Sequence, residues 1–222
     1  MEFKKVTREW DTLKKDAMER AKNAAPLVKE GKIVDAKDTV ALLEAVIKPY
    51  DKVNIEGNNQ KQADFLAKCL CQVDPAKIHD LHMVQSVLTL PEHLDVFEKG
   101  IAKKLDMSFS GPQAGRIAQF LQEGKLELGA IHTYLELYGR YFVDLTPRVA
   151  LVAATMADRE GNLFTGFSTE DTPAIVEATK FRQGIVIAQV NKIVDKLPRV
   201  DIPGDWVDYV IQSPKPFYIE PL

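Results

Sequence analysis

Cysteine, histidine and long apolar runs are all scarce in this chain, and each scarcity excludes something. The 222 residues hold two cysteines, Cys69 and Cys71. They stand two apart on a predicted helix, so they do not face each other, and no second pair exists. That argues against a structural zinc site or a disulfide scaffold. Ordinary buried small side chains are the better reading. The four histidines do not fit H-E-x-x-H or a related metal set. No apolar run reaches the roughly 18 residues of a membrane span, and the first residues are charged rather than signal-like. A cytoplasmic protein that neither crosses a membrane nor binds a metal is expected. The net charge of −3 mixes both signs along the chain, which argues against a dedicated nucleic-acid binder. G-x-S-x-G, G-x-G-x-x-G and G-x-x-x-x-G-K-[ST] are missing. So is the basic cluster of a strong sugar-phosphate site.

What is present is strand and helix in alternation. Residues 149–155 are nearly continuous apolar sequence, as in a strand buried on both faces. Asp158 to Asn162 form a turn, Leu163-Phe164 suggest a hairpin return, and Thr172-Pro173 cap and open a helix through Phe181. Ile185 to Val190 form the next central strand, with Asn191 following it. Earlier, Lys52 to Ile55 read as a strand and Ala63 to Leu70 as a helix. Further strands are expected near 79–84 and 105–109, with helices from Pro91 to about Ile101 and from Gln113 to Gln122. Residues 126–142 are ambiguous. In residues 8–30, Trp10, Leu13, Ala17, Ala21, Ala24 and Leu27 draw an apolar stripe at helical spacing. That helix should dock by its stripe and end or kink at Pro26. The pattern predicts an α/β fold: an open, mostly parallel sheet with flanking helices.

Such sheets bind ligands beyond the carboxyl ends of their strands. Four polar places meet that condition. Gly57, Asn58, Asn59 and Gln60 form the first, at a strand–turn–helix step that can present free backbone N–H groups. Ser110 and Gly111 form the second. Asn162 and Gly166 belong to the third, and Asn191 is the fourth. Amides and backbone N–H groups suit a thioester carbonyl, because they donate without adding charge. The same residues also serve as plain turn formers. Glu170-Asp171 reads as capping and solvation, and Tyr134, Tyr138 and Tyr141 as core or subunit interface.

The segments EGNNQKQADFLAKCL, DLHMVQSVLTLPEHLDVFEKGIAKKLDMSFSG and DREGNLFTGFSTEDTPAIVEATKFRQGIVIAQVNKIVD resemble the alpha subunit of malonate decarboxylase over nearly the whole chain. More broadly, that subunit is similar to citrate lyase alpha subunits and coenzyme A transferases. The resemblance implies a coenzyme A transferase-like fold. It also implies a transferase that exchanges acetyl for malonyl on an acyl carrier protein. The implied substrate is the carrier's phosphoribosyl-dephospho-coenzyme A arm, with coenzyme A as a mimic and no tightly bound cofactor. Implied partners are the carrier protein and the decarboxylase beta and gamma subunits; a homo-oligomer stays open. The family subunit has two similar α/β domains. Residues 1–35 would be a helical extension and residues 36–222 the first domain. The glutamate nucleophile of related transferases would then lie outside this chain, leaving it inactive alone. Their glycine-rich loop is replaced here by Glu56-Gly57-Asn58-Asn59-Gln60. A noncatalytic assembly module, or a coenzyme A transferase or hydrolase acting without a carrier, are the alternatives.

Overall fold

A computed structural model describes residues 11–57 and 60–218. In chain order the elements are α1 (Thr12–Ala24), β1 (Val28–Glu30), β2 (Ile33–Val34), α2 (Thr39–Val46), β3 (Lys52–Ile55), α3 (Asp64–Leu70), β4 (Leu81–Val87), α4 (Glu92–Glu98) and β5 (Ala102–Phe109). They continue as α5 (Ala114–Gln122), β6 (Glu127–Ile131), α6 (Tyr134–Val143), β7 (Val149–Ala157), β8 (Leu163–Phe164), α7 (Thr172–Phe181), β9 (Ile185–Ile193) and β10 (Tyr209–Gln212).

One sheet runs in the order β1-β2-β10-β9-β7-β3-β4-β5-β6, with β8 folded back on β7 as the expected hairpin return. All pairings from β2 to β6 along this order are parallel; those of β1 and β8 are antiparallel. The chain lays β3, β4, β5 and β6 outward to one side. It then returns to place β7 on the other flank of β3 and continues through β9 to β10. The strand order therefore reverses between β3 and β7.

Both faces of the sheet are covered, which explains the unbroken apolar sequence of β7. Leu151 and Ala153 point into one core with Leu42, Leu66, Phe97 and Phe120 of helices α2 to α5. Ala150, Val152 and Ala154 point into a second core with Leu137, Tyr141, Ile175 and Val176 of α6 and α7. The ambiguous stretch 126–142 divides into β6 and α6. Thr133 caps α6, its hydroxyl accepting from Glu136 N–H at 3.2 Å.

The outer strand β6 is held by a polar cluster. Asp106 Oδ2 meets His82 Nε2 at 2.6 Å and Asp106 Oδ1 meets His132 Nε2 at 2.7 Å. Burial pushes the Asp106 carboxyl up, but the two histidines outweigh it and leave it below its ordinary value. Gly129 admits this carboxylate; a Cβ there would stand 2.0 Å from Asp106 Oδ2.

The first helix ends at Ala24, where the chain tightens through a short 3-10 turn carrying Pro26 and then enters β1, as the proline led one to expect. The apolar stripe docks only in part: Ala24 is buried in the core and Leu27 packs against it, whereas Leu13 and Ala21 are exposed and Trp10 lies outside the described residues. The buried Arg20 adds the rest of the anchor. Its guanidinium donates to Asp16 (2.8 Å), to the Val46 carbonyl (2.6 Å) and to both oxygens of Asp51. Arg148, at the start of β7, also donates to Asp16, at 2.8 Å. Burial raises the Asp16 carboxyl, but hydrogen bonds from Lys48, Arg20 and Arg148 win and hold it well below the usual carboxylate range.

Removing one partner of such a network strands the others. Arg20→Ala should lower unfolding stability by roughly 3–5 kcal/mol in urea titration. A loss below about 1 kcal/mol, the value of an exposed pair, would show that α1 is not anchored this way.

Candidate functional site at the carboxyl edge

The reversal between β3 and β7 leaves a crevice at the carboxyl ends of the strands, where ligands of open α/β sheets sit. A cavity of about 390 Å³ opens there. Gln60 and Lys61 line it from the turn after β3, and Thr155 lines it from the end of β7. Thr165, Phe167 and Ser168 contribute from the segment after β8, Asn191 from β9, and Pro216 and Phe217 from the final tail. The Phe167 ring is fully exposed at the rim.

Two glycines shape these walls. Gly57 bridges Gln62, closing the neck of the turn. A Cβ on Gly57 would lie 2.6 Å from His93 Cε1, so the close approach needs glycine. Gly166 has φ +95°, and a Cβ there would lie 2.3 Å from Thr155 Oγ1. Burial pushes His93 down to about 3, so its imidazole is neutral under Gly57.

The expected site residues are not all in one place. Gln60 and Asn191 line the cavity together, while Gly57 and Gly166 form adjacent backbone. Asn191 lies within β9 rather than after it, because pairing with β7 continues to Ile193. Its Oδ1 accepts from Phe217 N–H at 2.9 Å. Ser110 and Gly111 follow β5, two strands from β3, and do not line this cavity. Asn162 is used in structural bonds: Nδ2 donates to Asp158 within the hairpin at 2.8 Å, and Oδ1 accepts from the N–H of Gly204, in the turn before β10, at 2.7 Å. Asn58 and Asn59 lie outside the described residues.

Beneath the cavity floor sits a group of charges that the sequence did not single out. Glu56 and Lys61 are 0% and 1% exposed. The Lys61 ammonium donates to Glu56 Oε1, to Thr172 Oγ1 and, at 3.1 Å, to the Ala153 carbonyl. Glu56 Oε1 also accepts from Thr172 Oγ1, and Glu56 Oε2 from Ala153 N–H at 2.8 Å. Both Glu56 oxygens are committed, so this carboxylate is a strut and not an attacking group. Thr172 is therefore not the cap of α7; Asp171 occupies the cap position and makes no side-chain cap bond.

Asp171 is not solvated either. It is 2% exposed, and neither of its oxygens makes a hydrogen bond of normal geometry among the described residues. Burial first, and the Glu56 carboxylate second, push it up to about 7, with Ser86 and Lys61 opposing from nearby. The only sequence signal for this group was the opposite charge of Glu56 and Lys61 across a five-residue step. Among the described residues, no set of three His, Cys, Asp or Glu side chains is placed to hold a metal ion. No described helix is long and apolar enough to cross a membrane.

A carboxyl raised by folding keeps a proton that the unfolded chain has lost. Its effect is absent below pH 4, grows as an increasing cost up to about pH 7, and is constant above. Asp171→Asn should therefore gain on the parent by roughly 2–3 kcal/mol between pH 5 and pH 8 in urea unfolding. Parallel pH profiles for the two proteins would contradict the assignment.

Comparison with known proteins gives this geometry a family. The profile described as malonate decarboxylase, alpha subunit, transporter matches residues 9–222. The chain is 66% identical over 213 residues to the acetyl-S-ACP:malonate ACP transferase of Malonomonas rubra, covering 96% of this chain and 38% of that protein. A solved Pseudomonas malonate decarboxylase hetero-tetramer in complex with malonate superposes with a TM-score of 0.93 at 57% identity. That match covers 97% of this chain and 40% of the Pseudomonas chain, so the sequence spans about two fifths of these relatives. Glutaconate coenzyme A-transferase from Acidaminococcus fermentans shares the fold alone, at TM-score 0.64 and 16% identity over 82% of this chain and 76% of that one. The mostly parallel coenzyme A transferase-like sheet expected from the sequence is thus present, and the chain belongs to the malonate decarboxylase alpha-subunit family.

Proposed function

We propose that this chain is the first α/β domain of an acyl-carrier-protein transferase that exchanges acetyl for malonyl on a carrier-protein thioester. The observation that carries the reading is the amide-lined cavity at the β3/β7 crevice, in a chain 66% identical to a protein named for that exchange. Residues 36–222 form most of the domain and residues 1–35 an extension of it, of which β1 and β2 pair into the domain's sheet. The rest of a full-length subunit supplies the glutamate nucleophile. The partners are the acyl carrier protein and the beta and gamma subunits, in the cytoplasm. A homo-oligomer is compatible with this reading. The thioester is presented on the carrier's phosphoribosyl-dephospho-coenzyme A arm, and coenzyme A itself is a mimic.

The chemistry is acyl transfer through an anhydride. A carboxylate adds to the thioester carbonyl, the carbonyl oxygen takes up negative charge, and the thiolate leaves with the C–S electron pair. Neutral donors that meet that oxygen lower the barrier. The Gln60 and Asn191 amides, with backbone N–H groups of the Gly57 turn and of Gly166, are the donors this domain contributes. Asn58 and Asn59, which follow Gly57 in sequence, are proposed to bind the thioester with them. Ser110, Gly111 and Asn162 stand farther off, where contact with the arm or the second domain is the role left to them. Phe167 offers an apolar face at the rim.

The assembly-module reading has one observation behind it: Ile131, at the end of β6, and Leu135, in the first turn of α6, are both largely exposed. Carrier-protein capture separates the two. Gln60→Ala with Asn191→Ala should weaken capture, whereas Leu135→Ser should not; the reverse pattern supports assembly. The exchange itself should be undetectable with the 222 residues alone and appear when they are joined to the remainder of a full-length subunit. In the joined protein, Gln60→Ala should slow exchange by roughly tenfold or more, toward the range seen for lost oxyanion donors. Full activity from the short chain would overturn the two-domain reading.

A further inference from the structure

We propose that Lys61 is the positioning residue of this site: its ammonium, fastened to Glu56, Thr172 and the Ala153 carbonyl, holds the adjacent Gln60 in place at the cavity wall. The inference deepens the transferase reading and rests on it for its catalytic consequence, though not for its structural one.

The turn leaves the sheet at Glu56 and returns at Lys61. Its neck is closed on the backbone by the Gly57–Gln62 bridge and by Ala63 N–H donating to the Glu56 carbonyl at 3.0 Å. One flank rests on α4, where Gly57 meets His93, and on the Thr89 hydroxyl, which donates to Gln62 Oε1 at 2.6 Å. The other flank faces β7 and the first residue of α7. There the Glu56 N–H donates to the Leu151 carbonyl at 2.8 Å, and the Lys61 ammonium and the Glu56 carboxylate add side-chain ties to β7 and α7. Gln60, immediately before Lys61, lines the cavity. Any displacement of Lys61 carries Gln60 with it.

Stability alone does not account for such a pair. Taking an ammonium and a carboxylate out of water costs several kcal/mol each, by rough estimate, and apolar replacements of similar volume are often as stable or better. Hydrogen-bonded ions do supply direction. Lys61 meets acceptors from three separate elements: the end of β3, the middle of β7 and the start of α7. An apolar side chain would fill the same space without selecting one position for the turn. The ammonium has those acceptors already, so it acts through Gln60 and Gly57 rather than on a ligand. Asp171 completes the arrangement from the same end of α7. It is a second buried carboxyl beside Glu56, and its oxygens make no hydrogen bond of normal geometry among the described residues.

Thr172 is the acceptor that can be changed most gently. Thr172→Val keeps the shape and removes the hydroxyl; Thr172→Ser keeps the hydroxyl. Hydrogen exchange of the 222-residue chain itself reads the turn without any assumption about function. Backbone amides of residues 57–62 should exchange about ten- to a hundredfold faster in Thr172→Val, matching the loss of one hydrogen bond to a charged group. Thr172→Ser should restore the parental rates. Glu56→Gln/Lys61→Met should fold and show the same fast turn. In the protein joined to its remaining part, Thr172→Val should lower kcat for thioester exchange about tenfold and leave KM for malonate nearly unchanged. Parental exchange rates at 57–62 in a folded Thr172→Val would overturn the proposal. So would a fast turn with unchanged kcat. If the parental joined protein shows no exchange reaction at all, the transferase reading fails, while the amide rates still decide whether Lys61 positions Gln60.

Discussion

Parallel pairing of β3 with β7 is the constraint on which the rest of the structure depends. The chain could have continued past β6, which is left at the sheet edge. It instead crosses back and hydrogen-bonds Val53, Asn54 and Ile55 beside Val149, Ala150 and Leu151. This crossing opens the crevice between the carboxyl ends of the two strands. It brings the turn after β3 against the end of β7 and sets the start of α7 beneath both. Residues that are distant in sequence, such as Gln60 and Asn191, become neighbours only through it. The hydrophobic cost and gain are ordinary for a sheet buried on both faces; the position of the reversal is what distinguishes this one.

Polar groups inside this frame are placed where an apolar core would serve stability better. Glu56, Lys61 and Asp171 amount to two acids and one base with almost no access to water. Such groups are expensive to bury. Their location directly under the cavity floor links them to the turn that carries Gln60. At the opposite edge of the sheet, Arg20, Asp16 and Arg148 show the contrasting use of charge. There, guanidinium forks meet carboxylates and helix-end carbonyls, and join α1 to the amino ends of the strands. One set of buried charges orients a site; the other fastens an extension.

The parts of this arrangement that were readable in advance have local causes. The apolar run at 149–155 announces a doubly buried strand. Glycine after Lys52 to Ile55 announces a turn at a strand end, and Leu163-Phe164 announces the hairpin return. What escaped has non-local causes. Asp171 follows Glu170 in a polar stretch and reads as solvated; only the packing of α7 against the sheet buries it. Thr172 precedes proline and reads as a cap; its hydroxyl is instead drawn to a carboxylate 116 positions away in sequence. The stripe of residues 10–27 has helical spacing, yet only its end at Ala24 and Leu27 reaches the core, and a buried arginine adds the rest of the anchor. Asn162 looks like its neighbours at strand ends, but its amide is taken at one end by Asp158 of its hairpin and at the other by the distant Gly204.

The central claim is that the β3/β7 crevice receives the thioester end of a carrier-protein arm. Chemical-shift mapping of the 222-residue chain, titrated with acetylated carrier protein, tests it most directly. The account predicts saturating shifts at Gln60, Thr155, Phe167 and Asn191. It predicts none at Lys52, Arg148 and Arg182 on the opposite edge. Shifts confined to that opposite edge, or to the exposed face around Leu135, would contradict it.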